Sequence, residues 1–183
     1  IPEDTTLIVM SDHGFSPFYW EVNLNSWLAE NGYVYLTDPR RRDGYPLFTN
    51  VDWSRTRAYA LGLNGIYLNQ EGREARGVVP RGYDSEELLT RIEEDLLEMV
   101  DPRNGRKPIS FVLRTGRDYV GAEEDKAPDL IVGYSRGYRS SWKSPLGEFP
   151  RKVFQDNLDP WSGDHSIDFR EVPGILISNR KIK

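Results

Sequence analysis

The chain has 183 residues, 38% hydrophobic and 29% charged, a balance that suits one globular core and a single domain over 1–183. A formal net charge of −5, from 24 Lys+Arg against 29 Asp+Glu, gives no electrostatic reason to bind nucleic-acid polymers or acidic membranes. With no cysteine, disulfides, thiolate metal sites and a cysteine nucleophile are excluded; no apolar stretch approaches the roughly 20 residues of a membrane helix, so a soluble chain without a membrane partner is expected.

The chain opens Ile1-Pro2-Glu3-Asp4, with no Met and no charged-then-apolar leader, and is expected to be a fragment or a processed chain. Thr6-Leu7-Ile8-Val9-Met10 is a continuous apolar run that predicts a strand buried on both faces, as in a parallel sheet covered by helices. It runs into Ser11-Asp12-His13-Gly14. Asn23 or Asn25 then offers a cap to a short helix carrying Leu24, Trp27 and Leu28, with Gly32 placed to end it. Tyr33 to Leu36 reads as another strand. The basic run Arg40, Arg41, Arg42 follows Asp38-Pro39 and reads as a solvated turn.

Two stretches alternate aromatic and small residues, Arg57-Ala58-Tyr59-Ala60-Leu61 and Gly65-Ile66-Tyr67-Leu68-Asn69, and predict strands joined by a glycine-containing turn. Asp84 and Glu87 have capping-box spacing, and Leu88, Leu89, Ile92, Leu96, Met99 and Val100 recur at helical intervals, so a helix is expected here. It should stop near Asp101-Pro102. Strands are expected over Ile109 to Leu113, Leu130-Ile131-Val132 and Ile175-Leu176-Ile177. Strands separated by helices point to an α/β fold.

The chain contains two histidines, and each sits in a short motif with an aspartate and a glycine: Asp12-His13-Gly14 and Gly163-Asp164-His165. Imidazole and carboxylate are the ligands left for a divalent transition metal when thiolates are absent. Side chains alternate across a strand, so adjacent Asp12 and His13 require a turn before both can face one ion. Gly14 supplies freedom for that turn. Taken alone, an Asp-His pair at a strand end is more often a hydrogen-bonded turn than a ligand pair, and the residues by themselves leave both readings open. A serine hydrolase is disfavoured, because Ser11 and Ser166 lie in no Gly-x-Ser-x-Gly elbow. Tyr134, Tyr138 and Trp142 flank Arg136 and Arg139, a cluster for which core packing outweighs a substrate entrance.

These motifs together resemble the carboxy-terminal part of bacterial type I phosphodiesterases/nucleotide pyrophosphatases, within the alkaline phosphatase superfamily. Ile8 to Gly14 resembles the family's strand ending in Asp-His-Gly. Val51 to Tyr59, Gly65 to Asn69 and Ala127 to Tyr134 resemble stretches of one bacterial branch, in unbroken order. Trp161-Ser162-Gly163-Asp164-His165 occupies the place of the family's Gly-x-His.

The resemblance implies an alkaline-phosphatase-like sheet covered by helices and two divalent metal ions, zinc or manganese. Asp12 and His13 would bind one ion and His165 the other. The remaining ligands and the Thr or Ser nucleophile would come from the upstream half of the protein, which this chain lacks, so the chain alone is expected to be inactive. Two ions about 3.5–4 Å apart would clamp a small phosphate-ester substrate for in-line displacement, which requires the two imidazoles to lie within roughly 10 Å of each other. Asp164 and Asp168 are candidates to orient His165. Two other readings remain: a phosphotransferase of the phosphoglycerate mutase type, and a noncatalytic binding module that keeps the fold.

Overall fold

The computed structural model describes residues 2–121 and 123–181. The apolar run after Thr6 forms β1 (Ile8–His13), and past Gly14 the chain continues as β2 (Ser16–Val22) and α1 (Leu24–Glu30). A long turn-rich segment leads to the hairpin β3 (Ala58–Leu61) and β4 (Gly65–Leu68), then to α2 (Tyr83–Glu98). After it come β5 (Ile109–Arg114), β6 (Leu130–Tyr134), β7 (Gly137–Ser140), β8 (Phe154–Asp156), β9 (Gly163–Asp164) and β10 (Pro173–Ser178).

These strands make three sheets. One has the order β3-β4-β6-β5, the second has β2 between β7 and β8 with β9 also on β2, and the third is the pair β1-β10. The fold is mixed α/β. Among the described strands β2 and β7 pair in parallel and the other pairings are antiparallel.

The core forms where the periodicities predict. Leu88, Leu89, Ile92 and Leu96 project from one face of α2, and alternate residues Ala58 and Ala60 project from β3; these and Ile66, Leu68, Leu130 and Val132 join a single buried cluster. Each large aliphatic side chain buried in this cluster contributes roughly 2 kcal/mol. Within it, buried Asn25 of α1 acts as a strand edge for β3: its Oδ1 accepts from the Ala60 N–H (2.8 Å) and its Nδ2 donates to the Ala60 carbonyl (3.0 Å). In the Ala127-Pro128-Asp129 motif, Asp129 accepts from the Leu68 N–H (2.7 Å) and pairs with Arg73 (2.6 Å), fixing β4 beside β6. Asn69 donates to the carbonyls of Trp53, Thr56 and Arg76, tying the hairpin to the loops before and after it.

Several expectations are corrected. The first strand is not buried on both faces: Ile8, Val9 and Met10 are exposed, as are Ile175, Leu176 and Ile177 of the partner strand. No helix packs on this ribbon among the described contacts; an apolar run reads alike whether a helix covers it or not. Tyr33 to Leu36 is not a strand. The N–H groups of Tyr33 and Val34 bond back to Leu28 of α1, which leaves one isolated bridge, Leu36 to Val51. The start of α2 uses Ser85 rather than Asp84 and Glu87: the Ser85 hydroxyl accepts from the Gly82 N–H (3.1 Å) and donates to the Gly82 carbonyl (2.8 Å). Among the described residues no helix is long and apolar enough to cross a membrane.

Candidate metal centre

The polypeptide corner between β1 and β2 carries the first motif, and the turn after β9 carries the second. They meet because of one register: Ser16 and Pro17 at the start of β2 pair with Asp164 and Gly163. That pairing puts His165 beside the residues immediately preceding Ser16. The two imidazoles stack face to face, with ring centroids 3.8 Å apart and planes inclined by 6°, well inside the separation a two-ion site requires. Phe15 stands edge-on to both rings, at 5.5 Å from His13 and 5.6 Å from His165. Sequence reasoning passed over Phe15; its only signal was its place directly after Asp12-His13-Gly14.

The orientation of His13 is fixed locally. Its Nδ1 lies 2.9 Å from the Gly14 carbonyl oxygen, and because a carbonyl only accepts, Nδ1 is the donor here and Nε2 is the nitrogen turned toward Asp12. Nε2 is 3.8 Å from Asp12 Oδ1. That separation is near the roughly 3.4 Å between two ligands of one tetrahedral ion with bonds of about 2.1 Å. The expected turn between Asp12 and His13 is not formed: β1 runs through both residues and is only interrupted at Gly14 and Phe15, while the Asp12 carboxylate folds back to accept from the His13 N–H (3.2 Å).

The second motif is held by its aspartate. Asp164 is buried, and its Oδ1 accepts from the backbone N–H groups of His165 (2.7 Å) and Ser166 (2.8 Å). The His165 ring itself is half exposed. Asp168 does not orient His165. Its carboxylate accepts from Ser110 (2.8 Å) and from Arg170 (2.6 Å), and the Arg170 hydrogen bond holds its carboxyl below the usual range. Ser11 is engaged structurally, its Oγ accepting from the Ile175 N–H at 3.1 Å. Of the aromatic cluster, Tyr134 and Tyr138 are core residues, and burial pushes both phenols up from their ordinary value. Trp142 is half exposed and lies over Arg139 at 4.3 Å.

Among the described residues no group of three or more His, Asp or Glu side chains is gathered as around a single ion. The chain presents one pair, Asp12 with His13, and one further imidazole against it. Imidazole and carboxylate without thiolate are the donors that zinc and manganese accept, so the residues fit these ions as incomplete ligand sets.

A family model described as type I phosphodiesterase / nucleotide pyrophosphatase matches residues 1–153. The chain belongs to this family. No curated protein and no solved structure matches it. The family is hydrolytic and generally metal-dependent. Its match includes Asp12 and His13 and ends before His165, so His165 is joined to the site by the ring stack and by its own motif rather than by the matched region.

Proposed function

We propose that this chain supplies part of the two-metal site of a phosphodiesterase or nucleotide pyrophosphatase, with Asp12 and His13 on one divalent ion and His165 on the other. Zinc is the favoured metal and manganese the alternative. The observation that carries the reading is the stack of His13 on His165 beside Asp12, in a chain of this family.

When bound, the ions supply the concentrated positive charge that polarises a phosphoryl group and activates a hydroxyl. The protein residues present and orient the donors. The Gly14 carbonyl accepts from His13 Nδ1 and so turns Nε2 toward Asp12, whose carboxylate lies beside it, and Phe15 closes one side of both rings. Local positive charge of this kind explains how a chain of net charge −5 takes a small anionic ester.

The remaining ligands and the nucleophilic hydroxyl belong to an upstream half of the same protein, arranged as in alkaline phosphatase. The exposed apolar ribbon of β1 and β10 supports that reading, since a two-stranded ribbon is marginal by itself. The expected result is that the isolated chain, with zinc or manganese added, leaves bis-p-nitrophenyl phosphate intact, whereas the full-length protein hydrolyses it. Asp12→Ala should abolish that activity with an unchanged circular dichroism spectrum. Metal-dependent turnover by the purified 183-residue chain would place the nucleophile inside it and overturn the proposal.

A further inference from the structure

A charged pair is buried behind His165. Arg139 of β7 is buried, 1% exposed at its side chain, and its Nη1 is 2.9 Å from Oδ2 of Asp164, itself 8% exposed. The guanidinium is enclosed by aromatic rings, Phe18 at 4.9 Å and Trp142 at 4.3 Å, and its Nε donates to the Ser140 carbonyl at 2.8 Å. Neither Nη1 nor Nη2 makes a hydrogen bond among the described residues, so the contact with Asp164 is an ion pair.

Burying two charges is a poor way to gain stability, because desolvation offsets most of their attraction. Such a pair has its greatest effect on position. Asp164 has its two oxygens divided between two tasks: Oδ2 faces Arg139, and Oδ1 accepts from the N–H groups of His165 and Ser166. The two bonds that Oδ1 accepts are charge-assisted, hence short and directional, and the ion pair with Arg139 fixes the other end of the carboxylate. Meanwhile Asp164 is paired across the sheet with Ser16, one residue from Phe15. Arg139 thus anchors a carboxylate that sets the start of the His165 turn, and does so from a strand on the opposite side of β2.

We propose that the buried Arg139–Asp164 pair is a positioning device that holds the His165 imidazole stacked on His13, with Arg139 and Asp164 acting through the backbone of the turn and touching no ligand themselves. Both Asp164 oxygens are occupied inside the protein, so Asp164 is kept from competing for a cation. The consequence for metal affinity rests on the reading of His13 and His165 as ligands; the ring geometry does not.

The chain has two histidines, so the nuclear Overhauser cross-peak between their ring protons reports the stack directly. The wild-type chain should show it. Asp164→Asn, which keeps an oxygen acceptor but loses the charge, and Arg139→Met should lose it while the core methyl resonances stay dispersed. Arg139→Lys, which keeps the charge, should restore it. The same two disruptive variants should weaken zinc binding about tenfold, the lower end of what loss of an outer-shell partner costs a metal site. A purely structural role would lower the melting temperature and leave the cross-peak intact below it; a folded Asp164→Asn protein with the full cross-peak overturns the proposal. Should Arg139→Met fail to fold, the isosteric Asp164→Asn decides. A wild-type chain that shows the cross-peak and binds no zinc refutes the ligand reading and leaves the positioning role standing.

Discussion

Gly174 lies flat against the backbone of Asp12: a Cβ at Gly174 would come within 2.3 Å of the Ser11 carbonyl oxygen and 2.7 Å of that of Asp12. The backbone cannot yield there without moving β1, since Ser11 pairs with Ile175 and His13 with Pro173 on either side. Gly174→Ala should therefore cost about 1–3 kcal/mol, as overpacking does, and displace Asp12 and His13. Urea denaturation measures the loss. Gly163→Ala is the control, because nothing stands within 4 Å of a Cβ at Gly163; equal stability of the two variants would refute the close approach.

Zinc titration of the chain tests the ligand set. With two donors on one side and one on the other, binding should be weak compared with a four-ligand site. His13→Ala and His165→Ala should each change the calorimetric curve in its own way. Curves identical to the wild type would remove both histidines from the site, and equal losses in the two variants would indicate a single shared ion.

Asp101 links the end of α2 to the sheet. It is fully buried, and its carboxylate accepts from the Arg103 guanidinium (2.7 Å), the Arg103 N–H (3.0 Å) and the Tyr138 hydroxyl (3.0 Å). Burial pushes its pKa up, but these partners outweigh it and hold the carboxyl below its ordinary value. A depressed folded value means stability that is present above the unfolded pKa of about 4 and lost as the pH falls through the folded one. Asp101→Asn should cost about 2–3 kcal/mol at pH 7, the scale of hydrogen bonds to a charged group. The gap between variant and wild type should narrow as the pH is lowered from 5 toward 2. A gap independent of pH would show that the charge contributes nothing.

Glu21 has the opposite sign. Burial raises its carboxyl above the ordinary value, with Arg139 pulling the other way. A raised folded value means stability present below the unfolded pKa and lost as the pH rises through the folded one. Glu21→Gln should therefore melt at a higher temperature than wild type at pH 7, and the advantage should vanish below about pH 4. A lower melting temperature at pH 7 would mean that the Arg139 attraction prevails over desolvation.

The legible parts of this protein were those whose signal is local. The 3.6-residue spacing of Leu88, Leu89, Ile92 and Leu96 sufficed for α2, and the alternation of Ala58-Tyr59-Ala60 for β3. β2 carries a local signal too, with Phe18 and Val22 buried and Tyr19 exposed, but the half-buried Trp20 and Glu21 interrupt its alternation. β8 and β9 carry too few residues for any period, and β7 is buried along its whole length, so it shows no alternation.

By itself the sequence determined the kind of chemistry available: imidazole and carboxylate donors without thiolates, in two polar motifs, the first of them within the region that the phosphodiesterase family model matches. Tertiary structure decided how they meet. The pairing of Ser16 with Asp164, the burial of Arg139 behind His165 and the exposure of Ile8, Val9 and Met10 each depend on what lies across space from a residue. A periodic pattern records which face of an element is apolar, and carries no label for the element that covers that face or for the strand that fixes its register.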